Sequence, residues 1–539
     1  ILVFMAQPNK VNLKVQSRTG FDKSFYNDLT TNVGTLTPVL FDEVIPNSRI
    51  NLNVASSVQL PPLASDTFMK CDLKLEAFAI PLRILYGGFM KWFVQQVAYI
   101  SDGTDDFLAV DPIIPYFSIS SDWDERPGIM YNGLSDYLGL RACNDSYSGT
   151  PINLLPYLAY GKVYDEFYRN VLVQRQLFAD GINLMDGSPA DNVANLPFLT
   201  EGSFNFLYER AYEPTWSFYV DGTSCFSLRQ RNYGFDYFTN AWPSPQVGNE
   251  MSVQTDQNGR FTIASLRVAN SLQQYSERMS YSPRYNEAIK QRYGCDISDA
   301  VVQRPVYLGS ASISIKSYGV DVTADNYQSG TRNPFASGAG AQLGRAVGQG
   351  VDNLIDNFEV REPSYIMVLA SVVPTAVYAT GTRRHMLRYV GDRGSFTDMA
   401  VASLQNVGNQ PIYGWELNGR ISTNTVFAYT DRYADWCTML DEVHGELREG
   451  GSLEAFALKR DFYDEFSPNI GYRFLEIPTT ALDEVSATGA LISQYGAWMQ
   501  FGFDYKVVMP LAFNSMPSLQ DPAYEHGFDI SVKRGGFRL

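Results

Sequence analysis

Residues 67–80 read TFMKCDLKLEAFAI. Phe68, Cys71, Leu73, Leu75 and Ala77/Phe78 are set against Lys70, Asp72, Lys74 and Glu76, an alternation of period two. Only an extended chain sends successive side chains to opposite faces, so the stretch predicts a strand with one face in a core. Pro81 lacks the N–H that a ladder needs and ends it. Upstream, residues 35–60 hold two short apolar runs around the turn Pro46-Asn47-Ser48, and Ile50, Leu52 and Val54 alternate with Asn51 and Asn53. Strand signals return near 305–322, 365–378, 424–430 and 500–513.

Composition agrees with a strand-and-turn protein: 34 Tyr, 33 Phe and 7 Trp accompany 42 Gly and 27 Pro. Length alone, 539 residues, would suggest several domains. No internal repeat and no Pro-, Gly- or Ser-rich linker divides the chain, so residues 1–539 read as a single elaborated β domain with helical and loop insertions mainly over 81–300. Leu85, Phe89, Trp92, Phe93 and Val97 fall at helical spacing. So do Tyr164, Phe167, Tyr168, Val171 and Leu172 within 158–178, and the apolar positions of 262–279. A further helix, 282–294, starts at a proline and stops at Gly294. The segment 435–451 fits either a helix or a bent strand. The apolar run 365–382 raises the question of a membrane span, but Pro374 interrupts it, and two buried strands meeting at that proline fit better.

The formal charge is −16, which argues against a protein that binds nucleic acid mainly by blanketing phosphate with Lys and Arg. The five cysteines (Cys71, Cys143, Cys225, Cys295, Cys437) are widely spaced, without a C-x-x-C pair, and read as buried reduced thiols. The start, ILVFM, is too short for a signal peptide and lacks a basic n-region. The Gly-rich SGAGAQLGRAVGQG (337–350) lacks the lysine and hydroxyl of a phosphate loop and reads as a surface loop. His385, His444 and His526 share no metal-ligand spacing. The carboxylate pairs Asp105-Asp106, Asp124-Glu125, Asp165-Glu166 and Asp441-Glu442 leave a glycosidase open in principle, with solvated loop charge as the plainer reading. No catalytic, metal or cofactor site is expected. The one local basic cluster is ISVKRGGFRL, where Lys533, Arg534 and Arg538 surround Phe537; it suits contact with single-stranded nucleic acid or a carboxylate on a neighbouring subunit.

Several stretches together resemble the major capsid protein of the microviruses (Microviridae). The opening carries that family's L-x-P-x-x-x-x-E-V-x-P core at Leu36, Pro38, Glu43, Val44 and Pro46, with Asn53 beyond it. LPYLAYGKVYDEFYRN is similar to a family helix. RNYGFDYFTNAWPSPQVG matches at Asp236, Tyr237, Phe238, Thr239, Pro243, Pro245, Gln246 and Gly248. TIASLRVANSLQQYSERM, RYNEAIKQRYG and RPVYLGSASISI follow in the family's order, with Val306 where Glu is usual, and DPAYEHGFDISVKR closes the series. Between RNYGFDYFTNAWPSPQVG and TIASLRVANSLQQYSERM, where the gokushovirus-like branch inserts threefold protrusions, only NEMSVQTDQNGR stands. DWCTMLDEVHGEL is nearer the branch of phages with Bacteroidetes hosts.

The resemblance implies a mainly β fold, an eight-stranded antiparallel viral jelly roll with long loop and helical insertions. It implies a structural coat protein of a single-stranded DNA phage, not an enzyme, that builds a T=1 icosahedral shell in the virion after assembly in the bacterial cytoplasm. Implied partners are further copies of the chain, an internal scaffolding protein, a DNA pilot protein, a small basic DNA-binding protein, the packaged single-stranded DNA and a host surface receptor. On this reading Lys533, Arg534, Phe537 and Arg538 face inward, onto DNA or the basic peptide. The rival from another class is a secreted, acidic, β-rich carbohydrate-binding protein or glycoside hydrolase, which predicts an aromatic groove and a signal peptide.

Overall fold

The computed structural model describes residues 18–86, 133–140, 151–174, 227–244, 284–322, 341–387, 409–419, 425–431, 434–448, 450–460, 471–487 and 491–511, with short isolated pieces elsewhere. Nine long strands make one curled sheet: β1 (Thr19–Asp22), β2 (Phe25–Thr31), β3 (Thr37–Val44), β4 (Arg49–Gln59), β5 (Cys71–Pro81), β6 (Val306–Val322), β7 (Ala341–Glu359), β8 (Ser364–Pro374) and, after the two-stranded ribbon β9 (Asn409–Tyr413) and β10 (Val426–Asp431), β11 (Ala497–Met509). β1 and β2 both pair with β11, at its two ends, and so share one edge position.

The spatial order is β1/β2, β11, β4, β7, β6, β5, β8, β3, with every pairing antiparallel. Counted along the chain, the first of eight positions pairs with the last, the second with the seventh, the third with the sixth and the fourth with the fifth. That is one long antiparallel hairpin rolled on itself, the topology of a jelly roll. The fold expected from the resemblance is present.

The inward faces of both halves meet in one core that includes Ile50, Leu52, Leu73, Leu75, Ile366 and Phe501. The outward faces differ. β4 alternates strictly between exposed and buried residues, because water covers its other side. β8 is buried at all 11 positions, because Tyr365, Met367 and Leu369 on its far side pack beneath helix α1 (Leu155–Val163) together with Phe78 and Ile80 of β5. The continuous apolar run at 365–373 is the sequence trace of that double burial.

Several expectations need correction. The Gly-rich stretch is no surface loop: from Ala341 onward it is β7. Its inward positions are Gly344, Ala346 and Gly348, so the strand carries no apolar alternation. They are small because the chain passes close to other elements; a Cβ on Gly344 would lie 1.8 Å from the Ser65 carbonyl oxygen. Residues 365–378 are not two strands: β8 ends at Pro374. The helix read over 158–178 starts earlier, at Leu155, and gives way to a π turn at Tyr164–Tyr168. Among the described residues of 82–97 there is a 3-10 turn, Leu82–Ile84, and a short helix, Phe89–Phe93, and 435–451 holds short turns of helix. The helix before Gly294 spans Tyr285–Tyr293 and closes on it as read, in the left-handed conformation. Most of 262–279 lies outside the described residues. Besides the insertions read mainly over 81–300, β9, β10 and their neighbours fill the span between β8 and β11. Phe68 does not share the buried face of β5; it is exposed. Of the cysteines, Cys71 is buried but Cys295 and Cys437 are exposed, while Cys143 and Cys225 lie outside the described residues. No helix among the described residues is long and apolar enough to cross a membrane.

Tyrosine supplies much of the layer beside α1, and burial pushes the hydroxyls of Tyr157, Tyr365 and Tyr137 up to about 12. A folded-state value above the ordinary 10 gives stability that is complete below pH 10 and is lost as pH rises through 12. Alkaline titration followed at 295 nm should therefore show a late tyrosinate step coinciding with loss of β circular dichroism. Completion of all tyrosine ionisation near pH 10, with the fold intact, would contradict this packing.

Candidate functional site

The basic cluster Lys533, Arg534, Phe537 and Arg538 lies outside the described residues, as do His526, Asp105-Asp106 and Asp124-Glu125. The other carboxylate pairs are bound into the fold. Asp165 is buried, forms an ion pair with Arg169 at 3.4 Å and accepts the Leu177 backbone N–H. Glu166 accepts from Lys162 at 3.0 Å. Asp441 pairs with Lys70 and Glu442 with Arg383.

The residues that carried the resemblance are likewise used for folding. Tyr160 of α1 is fully buried; its hydroxyl donates to the Leu36 carbonyl and accepts from the Arg229 N–H, tying three distant segments together. Asp236 accepts the N–H groups of Phe238 and Thr239 on one oxygen and the Tyr378 hydroxyl on the other, at 2.6 Å. The Tyr237 hydroxyl reaches Glu416. Arg231 donates to both oxygens of Glu76 on β5, at 2.6 and 3.1 Å, while its guanidinium lies over the Tyr168 ring. Gly309 sits at a register shift of β6, where a Cβ would meet the Leu354 carbonyl oxygen at 2.3 Å. Arg460 stands among the rings of Tyr233, Phe474 and Phe462, 4.1 to 5.1 Å from their centroids. Such cation–π contacts suit a guanidinium that holds a lobe in place.

Among the described residues, two of the surface cavities are of a size to matter. One, about 370 Å³, is lined by Arg383, Arg384, His385, Glu442, His444 and Arg448 among others. Its charges are engaged with one another: Arg383 with Glu442, His444 Nε2 3.3 Å from the same carboxylate, and Arg448 against His444 Nδ1. Among the described residues no cluster of three or more His, Cys, Asp or Glu is placed to hold a metal ion.

The second, about 1060 Å³, lies where the rolled sheet stays open, between β2 and β3. Backbone ladders do not close this seam. Side chains bridge it instead: Asn27 donates to the Val39 carbonyl at 2.7 Å, Lys23 pairs with Asp42, and the Tyr505 hydroxyl donates to Asp42 at 2.8 Å. The cavity continues onto the outer face of the β1/β2–β11–β4–β7 half, which is exposed among the described residues. Register sets that face in rows: Thr30, Trp498, Gln59, Val347; then Asp28, Gln500, Ser57, Gln349; then Tyr26, Gly502, Ala55, Val351; then Asp504, Asn53, Asn353. Tyr26 is 82% exposed and Trp498 46%. Reading the sequence did not single out either residue, since isolated aromatics on an amide-rich strand form no motif. The alternation of Trp498, Gln500, Asp504 and Lys506 with buried Met499, Phe501, Phe503 and Tyr505 was the available signal.

Comparison with known proteins agrees with this architecture. A family model described as "Capsid protein (F protein)" matches residues 10–261 and 256–519. Capsid protein VP1 of Chlamydia phage 1 is 23% identical over 603 aligned positions, covering 93% of this chain and 96% of the relative. Capsid protein VP1 of Bdellovibrio phage phiMH2K is 21% identical over 93% of this chain and 95% of its own length, and that of Spiroplasma virus 4 is 23% identical over 91% and 93%. With a family match over nearly the whole chain, a rolled hairpin of eight positions and motif residues engaged in folding, the chain belongs to the phage capsid protein (F protein) family.

Proposed function

We propose that this chain is the major coat protein of a small single-stranded DNA phage, and that copies of it close into a T=1 icosahedral shell around the genome. The single observation that carries this is the family match from residue 10 to 519, which spans jelly roll and insertions alike. Membership in a capsid family supports this reading over the carbohydrate-binding or hydrolase alternative. A closed shell repeats the same contacts around its symmetry axes, so weak individual contacts act together. The formal charge of −16 per chain means that the positive charge opposing phosphate must come mostly from other molecules. A small basic DNA-binding protein suits that need. An internal scaffolding protein, a DNA pilot protein and a host surface receptor complete the set of partners, with assembly in the host cytoplasm and the virion as final location. Lys533, Arg534, Phe537 and Arg538 are the tail's own contribution toward DNA or the basic peptide.

Density-gradient sedimentation of lysates from phage-producing cells tests the reading. The chain should travel with nuclease-resistant DNA in a single fast band; a chain that stays near the top with no DNA sinks it. In that band, trypsin should leave the bonds after Lys533 and Arg534 uncut until the particles are opened. Cleavage there in intact particles would place the tail outside.

A further inference from the structure

We propose that the arm formed by the far ends of β6 and β7, together with the seam cavity beside it, is a self-complementary contact at which a second copy of this chain docks about a twofold axis. This rests on the reading of the chain as a shell of identical copies, and adds which surface two of them share. β6 pairs with β5 only as far as Ile315 and Cys71, whereas its ladder with β7 runs on from Lys316 and Val347 to Val322 and Ala341. On this two-stranded arm the sides trade character. Within the barrel, β6 turns Ala311, Ile313 and Ile315 inward and Ser310, Ser312 and Ser314 outward. Along the arm, Ser317, Gly319 and Asp321 take the inward side, while Lys316, Tyr318 and Val320 take the outward one. Tyr318 is 55% exposed and Val320 46%, with Arg345 and Leu343 of β7 directly across from them. An outward side that turns apolar where its own barrel ends is suited to cover from outside the barrel.

The cavity of about 1060 Å³ adjoins the arm. Arg345 donates to Gln59 at 3.3 Å, and Gln59 lines the cavity with Trp498, Asp28 and Asp136. Among the described residues no Lys or Arg lines it. The outward side of the arm carries the opposite charge, Lys316 and Arg345, and no carboxylate. On the adjoining stretch of chain, Lys70 is paired with Asp441 and Asp72 stands between Lys70 and Lys74, so that strand does not reverse the sign. Asp504, Lys506, Arg49 and Glu359 stand toward the other end of the same face, outside this patch.

A basic, apolar arm beside an acidic, aromatic hollow is what an isologous contact requires, because there residue i meets residue j and j meets i. Half a turn about an axis through the row Trp498, Gln59, Val347 lays each arm over the other copy's hollow, and both charge pairings form at once. Trp498, 46% exposed, then lies close to the axis, where interfaces keep their aromatic anchors. A nucleic-acid strand matches the arm alone, since its phosphates would meet Asp28 and Asp136 in the hollow. Two copies match both halves.

Lys316 and Asp28 make the test direct. Four strand steps part Lys316 from Thr30 of β2, roughly 19 Å at the usual strand spacing, and Asp28 lies farther along β2. A zero-length carbodiimide link between Lys316 and Asp28 therefore joins two copies and never one chain to itself. Particles treated with carbodiimide, digested and mapped by mass spectrometry should yield that link. Lys316→Glu should cut the yield of closed particles at least tenfold, and Asp28→Lys added to it should recover most of the loss. Unchanged melting temperatures check that both variants fold; where they do not, the link map of the unsubstituted chain decides. Closed particles in which Lys316 is linked only to other carboxylates, or to none, overturn the proposal. So does a charge swap that folds but recovers nothing, or ultraviolet-induced nucleotide adducts on Trp498 in filled particles. Failure of the shell reading is a different result, the absence of closed particles containing the chain, and carbodiimide-linked dimers of the purified chain then still decide the contact.

Discussion

Gly344→Ala is expected to abolish soluble, folded protein. Gly344 is where β7 crosses the segment that links β4 to β5, and it exchanges backbone hydrogen bonds with Leu63 in both directions, at 2.9 and 3.0 Å. A Cβ there would lie 1.8 Å from the Ser65 carbonyl oxygen, 2.6 Å from its carbon and 2.7 Å from the Leu63 Cβ. Two of the three clashing atoms are backbone, so no rotamer change relieves them; either β7 or the linking segment must leave its place. The cost should reach the roughly 4–5 kcal/mol that marks the most damaging single substitutions, against a total of about 5–15 kcal/mol for an ordinary fold. Gly20→Ala is the control, because nothing lies within 4 Å of the new methyl group. Soluble yield and thermal melting of the two variants check the claim. A Gly344→Ala chain that melts like the parent would show that β7 does not pass Ser65 as described.

Arg231→Ala is the second. Glu76 projects from β5 into the layer beside α1, where Arg231 holds both its oxygens and the Tyr168 hydroxyl donates to one of them. The two charged side chains are only 15% and 17% exposed. Removing the guanidinium leaves a carboxylate in a largely dry layer with a phenol as its main partner. Breaking a fully buried pair costs about 3–5 kcal/mol; with the remaining exposure taken into account, about 2–4 kcal/mol is expected. Replacing both partners together, Arg231→Met with Glu76→Leu, should recover most of that loss, since no uncompensated charge remains. Denaturant unfolding of the single and double variants measures this. A single variant within about 0.5 kcal/mol of the parent, the range of ordinary surface changes, would mean that water reaches Glu76.

Much of the jelly roll was legible because its strands obey different burial rules in different places. β4 and the start of β5 put one face in the core and one in a polar setting, so they announce themselves by alternation. β8 is covered on both faces and reads as a plain apolar run, whose end at Pro374 the pattern alone does not fix. β7 was hidden, because close approach to Ser65 and Ile313 demands glycine at inward positions such as 344 and 350, where core strands usually show Val or Ile. β1 and β2 were hidden too: as edge strands their residues are mostly exposed or half-exposed, and they show little apolar pattern. The family motifs were readable as a series, yet their roles were not. That Asp236 accepts from Tyr378, or that Arg231 grips Glu76, depends on contacts between residues more than a hundred positions apart. The basic tail, the one cluster that local composition could flag, lies outside the described residues, whereas the exposed aromatic rows of β2 and β11 needed strand register to come together.

The function of this chain turns on whether it builds the shell. Cryo-electron microscopy of particles purified from phage-producing cells measures that directly. It should show a closed icosahedral wall in which each repeating unit is this chain, its rolled hairpin running in the order β1/β2, β11, β4, β7, β6, β5, β8, β3. A wall made of another protein, with this chain absent or bound only as a separate appendage, would contradict it.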